Sequence, residues 1–195
     1  MRLRYALTLV SILGVLVGQT AVFAEGGSDN NNGNGHQIPL KNLAGTFAEA
    51  AQGSAVLCHD PDTGSPVGCD APGAVAVPFA YVSVGPVIED AEGDACGSFT
   101  ATYSNLPPNA NPPLVIKFQV SAKITSYDPT TGTGDGSFTS YTGATCIGAS
   151  VSGGTVIGTG TDHSTASKDG DRLDFILTTI SGGGAFSISG FNIRE

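Results

Sequence analysis

The chain has 195 residues and a formal net charge of −9, with 8 Lys and Arg against 17 Asp and Glu, a length that suits one domain. Affinity for phosphate backbones rests on clustered Lys and Arg; Lys41, Lys117, Lys123 and the basic residues of the last strands are scattered, which excludes nucleic-acid binding. With 28 Gly, 11 Pro and only 13% charged residues, the composition is that of a turn-rich β protein and not of a disordered chain.

The first residues, MRLRY, place two arginines before the apolar run ALTLVSILGVLVG, and QTAVFA follows with Val22 and Ala24 at the small-residue positions of a cleavage site. This pattern predicts a secretory signal peptide over 1–24, because an apolar run of about 13 residues falls short of the ~20 that a membrane span needs. Cleavage would remove Arg2 and Arg4, leaving 6 basic against 17 acidic side chains. No Cys follows the cleavage point to take a lipid, and no later stretch is long and apolar enough to span a membrane. The expected product is secreted, extracellular or periplasmic, in an oxidising space, with no membrane insertion after cleavage.

Residues 25–39 read as a flexible Gly/Asn-rich spacer, EGGSDNNNGNGHQ and the two residues after it, in which His36 is expected to be solvated rather than a metal ligand. The barrel domain is expected over 40–195. Eight strands are predicted near 43–57, 75–89, 95–104, 114–127, 136–149, 153–160, 171–180 and 185–194, and no window reads as a helix. The clearest is LVIKFQVSAKITSY, where Ile116, Phe118, Val120, Ala122 and Ile124 alternate with polar residues, so one face is apolar and the other wet. Gly, Pro and Asp clusters mark the turns between runs. The hexamers in GSFTATY and GSFTSY look alike, but shared pairing geometry or coincidence accounts for them better than duplication.

Successive strands joined by short turns favour an antiparallel meander, and closing it into an eight-stranded up-and-down barrel removes the unpaired edges. An open two-sheet β-sandwich is the alternative, since periodicity does not separate the two. The four cysteines, Cys58, Cys69, Cys96 and Cys146, allow three pairings and have no metal-type spacing. Cys58–Cys69 and Cys96–Cys146 are favoured because the first pair brackets HDPDTGSPVG, a segment suited to a tight return.

The meander, the opening LAGTF, the strand pair hinged at EDAEGDACGSF, and the closing DRLDFILTT and FSISGFNIR resemble calycin-type barrels, in particular small secreted bacterial proteins similar to lipocalins and to the allene oxide cyclase barrel. Lipocalins cover a Gly-x-Trp on the first strand with an Arg that follows the last strand. Here Gly45-Thr46-Phe47 and Arg194 occupy comparable places, with Phe47 standing where the family has Trp. The resemblance implies a barrel interior that takes a small molecule, and it brings no catalytic residues.

No catalytic constellation emerges from the residues themselves. Asp162-His163-Ser164 are adjacent on an extended segment and point to alternate sides, which rules out a nucleophile–base–orienter line. Asp60 and Asp62 resemble half a calcium loop, but the distal ligands are missing, so a capped turn is expected and these two remain weak metal candidates. Glu89, Asp90, Glu92 and Asp94 are expected to sit in water at a hairpin tip. The Gly-rich runs precede strands and lack a following Lys, so they read as turns and not phosphate loops. No cofactor is expected.

What remains is the interior. Phe47, Phe79, Tyr81, Phe99, Tyr103, Phe118, Phe138 and Phe175 are predicted to point inward with Ile116, Val120 and Leu177, among small residues such as Ala101, Ala122, Ser140 and Thr142. Whether they fill the barrel or line a cavity is not decided by sequence. The leading expectation is a secreted, non-enzymatic barrel that binds a small apolar ligand. The alternatives are an extracellular structural or adhesive protein using loops 58–69 and 105–113, and an isomerase resembling allene oxide cyclase.

Overall fold

The computed structural model describes residues 37–62, 67, 69–104, 114–181 and 183–195; His36, the leader, the loop 105–113 and part of the loop 58–69 lie outside the described residues. Eight strands follow in chain order: β1 (Gly45–His59), β2 (Val75–Glu89), β3 (Asp94–Ser104), β4 (Leu114–Asp128), β5 (Thr133–Ile147), β6 (Ser150–Ala166), β7 (Arg172–Ile180) and β8 (Gly183–Arg194). Each pairs antiparallel with the next, and β8 returns to β1 from Phe47↔Arg194 onward, so the sheet closes on itself as an up-and-down barrel. Every strand therefore has hydrogen-bonding neighbours on both sides, which is how closure removes the edges.

Most strand bounds fall within two residues of the sequence reading, while both bounds of β6 and the start of β5 differ by three or more. β6 runs to Ala166 instead of ending near residue 160, because Thr161–Thr165 pair with both β5 and β7, and Ala166 with β7, despite the polar composition of this segment. β5 starts at Thr133, earlier than expected, carrying Gly134 and Asp135 into the ladder. The segment before β1 forms a short 3-10 turn at Leu40–Leu43, where no helical segment is expected from sequence.

Alternation along the strands selects the interior. On β2, Phe79, Ser83, Val87 and Glu89 are buried while Val82, Val84 and Ile88 face out. Register carries this parity around the ring: Phe47↔Val87, Val87↔Gly97, Gly97↔Val120, Val120↔Ser140. Inward glycines are covered by neighbouring rings. A Cβ on Gly97 would collide with the Phe99 ring, one on Gly160 with Phe138, and one on Gly190 with Phe175. Small residues thus make room for aromatic rings lying along the wall.

One end of the barrel is plugged. Ile38 and Leu43 pack with Ala166 against Leu40, Ile124, Tyr127 and Leu173, and Ile38 N–H donates to Pro129 O at 2.9 Å. Arg194 fastens this plug: Nη1 donates to Ala44 O (2.8 Å), Nη2 donates to Asn42 O (2.6 Å) and Gly170 O (3.1 Å), and Nε pairs with Asp171 (2.9 Å). The guanidinium also lies 4.9 Å from the centre of the Phe47 ring, a cation–π geometry, and occupies the space that a side chain at Gly45 would take.

Two disulfides join Cys58 to Cys69 and Cys96 to Cys146. Cys96 faces outward on β3 beside Ile88 and Ser121, yet it is only 1% exposed. The β5–β6 hairpin continues past the last β4–β5 rung at Gln119↔Tyr141. It bends back over the outside of the barrel, so that Cys146 reaches Cys96 across the intervening β4.

Candidate functional site: the barrel lumen

The lumen holds a cavity of about 150 Å3, and an apolar cavity of roughly this size admits a benzene-sized molecule. Of the eight aromatic residues expected inside, Tyr81, Phe99, Phe118, Phe138 and Phe175 line it, together with Val120, Leu177, Ala122 and Ser140. Phe47 is not in the wall; it lies beneath Arg194, 2% exposed, in the cluster with Val87, Phe99 and Phe118. Phe79 and Tyr103 stack towards the other end, with ring centres 5.6 Å apart and Tyr81 5.3 Å from Tyr103. Ile116 and Ala101 belong to the core cluster. Thr142 falls on the part of β5 beyond its pairing with β4, outside the cavity wall.

Polar groups interrupt this apolar wall, and two of them, Glu49 and Asn192, are passed over by sequence reasoning. Glu49 follows Phe47 at the inward parity of β1 and lies opposite Gly85 on β2 and Asn192 on β8. Asp162 on β6 faces in from another part of the ring, its carboxylate over Gly136 in the space a Cβ would fill. Burial, and after it the charge of Asp162, push the Glu49 carboxyl up to about 8. Burial also raises Asp162, with Asp135 adding to the effect and His163 opposing it. The neighbouring His163 points outward, its Nδ1 2.9 Å from Asp135 Oδ1, while Ser164 returns to the interior at 5% exposure. The three consecutive residues alternate, and no triad forms.

Glu89 departs from its expected place at a solvated tip. It is 7% exposed and lines the cavity near the plug, because β2 keeps its parity through its last residue. Burial, then the charge of Asp90, raise its carboxyl to about 7 against the opposing pull of Arg194. The other three carboxylates of that turn do meet water or partners: Asp90 accepts from Glu92 N–H (3.0 Å) and Asp94 N–H (2.9 Å), and Asp94 holds Lys123 at 2.8 Å. Asp60 Oδ1 accepts from Asp62 N–H at 2.8 Å, the geometry of a capped turn, and among the described residues no group of three metal-type side chains assembles.

Two buried oxygens in this wall have no hydrogen-bond partner, Asn192 Oδ1 and Glu89 Oε1. Two hydroxyls of the interior are turned to the protein instead: Tyr81 donates to Ser83 Oγ at 2.7 Å and Ser164 leans toward Gly134 O at 3.5 Å. Burial raises both Tyr81 and Tyr103, so these phenols stay protonated. Parity from Phe47 through Glu49 to Ala51, and from Phe79 to Glu89, is the signal in the sequence that points to the two glutamates. Compared with protein-family models, with curated proteins and with solved structures, the chain matches none.

Proposed function

We propose that this is an exported barrel protein whose lumen holds a small, largely apolar molecule. The observation that carries the reading is the cavity itself, walled by Phe99, Phe118, Phe138, Phe175 and Leu177 at the centre of the barrel. Apolar concavities with a few convergent polar groups are the usual form of small-molecule sites. Two disulfides fit an oxidising compartment, and the leader pattern of residues 1–24 supports export. The Gly45/Phe47/Arg194 arrangement supports kinship with calycin-type barrels.

Titration of isotopically labelled protein with toluene, followed by NMR, tests the reading. Shifts should concentrate on the amides and rings of the residues above, and Ala122→Phe, which fills the cavity, should abolish them. Absence of saturable shifts in the wild type would overturn it. A second reading, an isomerase resembling allene oxide cyclase, is favoured by Glu49, a carboxyl that holds a proton near neutrality inside an apolar chamber. A flat turnover assay on unsaturated fatty-acid epoxides would dispose of it.

A further inference from the structure

The polar part of the lumen brings together two carboxyls and an amide. Glu49 and Asn192 are register partners on β1 and β8, Asp162 faces them from β6, and all three line the same cavity. Asn192 is 7% exposed and its Oδ1 has no partner, which leaves a buried acceptor at a cost that native interiors seldom carry. Two interior hydroxyls, those of Tyr81 and Ser164, are turned to Ser83 Oγ and Gly134 O.

Nor do the basic side chains among the described residues reach this group of acceptors. Lys123 reaches the rim of the cavity but gives its ammonium to Asp94 at 2.8 Å. Arg172 pairs with Asp174 at 2.6 Å, and Arg194 is spent on the plug carbonyls and Asp171. Lys41, Lys117 and Lys168 are exposed. The charged and titratable groups bearing on the pair are Asp135 and His163 behind Asp162, Tyr81 beside Glu49, and Glu89 with Arg194 toward the plug. Two acidic side chains and an orphaned amide oxygen, walled by aromatic rings, complement a group that brings several N–H donors and a positive charge.

We propose that the ligand is a small apolar amine, its hydrocarbon body among Phe99, Phe118, Phe138 and Phe175 and its ammonium against Glu49, Asp162 and Asn192 Oδ1. This rests on the lumen being a ligand site and adds the head group. A primary ammonium has three donors for these three acceptors, its bonds to ionised carboxylates are charge-assisted, and aromatic faces tolerate a cation nearby. Because the Glu49 carboxyl of the protein alone holds its proton to about pH 8, taking up an ammonium at pH 7 should release close to one proton to solvent.

The test compares benzylamine, benzyl alcohol, toluene and phenylacetate, four probes sharing one ring, by calorimetry at pH 7 in two buffers of different ionisation enthalpy. Benzylamine should bind at least tenfold tighter than benzyl alcohol, with net proton release, and phenylacetate should not bind. Glu49→Gln should bring benzylamine down to the affinity of benzyl alcohol. If that variant does not fold, the ranking of the four probes and the proton release of the wild type decide alone. Toluene or benzyl alcohol binding as tightly as benzylamine overturns the amine proposal and leaves the pocket standing. If none of the four binds, the lumen is no ligand site and both readings fall.

Discussion

Glu49 makes stability depend on pH in a direction opposite to that of salt-bridged carboxylates. In the folded chain its carboxyl keeps a proton up to about pH 8, against an ordinary value of 4.5. Between those limits the folded state binds more protons than the unfolded one, so the contribution of Glu49 is fully present below 4.5, falls as pH rises and is lost above 8. Each pH unit between the two values corresponds to about 1.4 kcal/mol, which sets an upper limit of about 5 kcal/mol. Water reaching the carboxyl through the lumen lowers this, and we expect a fall of about 2–4 kcal/mol. Denaturant titration of wild type and Glu49→Gln at half-unit steps from pH 4.5 to 8.5 measures it. Glu89 adds a decline of the same sign up to about pH 7, and the burial of Asp162 adds another; both groups are present in both proteins, so the difference reports Glu49 together with its coupling to Asp162. The variant should gain on the wild type steadily with pH and exceed it at pH 8.5. Parallel curves, with a constant difference across the range, would refute the assignment of Glu49 to a desolvated interior.

Arg194→Ala should lower stability by about 2–4 kcal/mol, since it removes three hydrogen bonds to carbonyls, one ion pair and the contact over Phe47. Hydrogen exchange at residues 38–44 should accelerate more than elsewhere, and a change below about 0.5 kcal/mol would show that the plug holds without it. Chain-entropy reasoning gives about 4 kcal/mol for the Cys96–Cys146 bridge, which spans 50 residues, and about 3 kcal/mol for Cys58–Cys69, which spans 11. Thermal melts of the paired Cys→Ser variants should rank in that order, and a Cys96→Ser/Cys146→Ser protein as stable as wild type would contradict it.

The primary structure determined the strand faces and their succession. Alternation such as Ile116–Phe118–Val120–Ala122 on β4 needs only its own residues to declare which side is buried, and short turns fix neighbour to neighbour. The cysteine bracketing of the loop 58–69 is likewise a local feature. Polar segments are less legible: Thr161–Ala166 carries little apolar signal, and it is a strand because β5 and β7 stand on either side of it. For the same reason the acidic neighbours Asp90 and Glu92 point Glu89 toward water, when parity along β2 takes it inside.

Only the closed sheet decided which inward residues meet. Glu49, Asp162 and Asn192 are far apart in the chain, and they share one cavity because β8 pairs with β1 and brings the ring round. Whether the lumen is filled also depended on three dimensions, since the same glycines at 97, 160 and 190 leave space or lose it according to where the rings of Phe99, Phe138 and Phe175 lie. Side-chain direction is a one-dimensional property of a strand, whereas volume and the coupling of charges arise from distances across the barrel, which no local pattern contains.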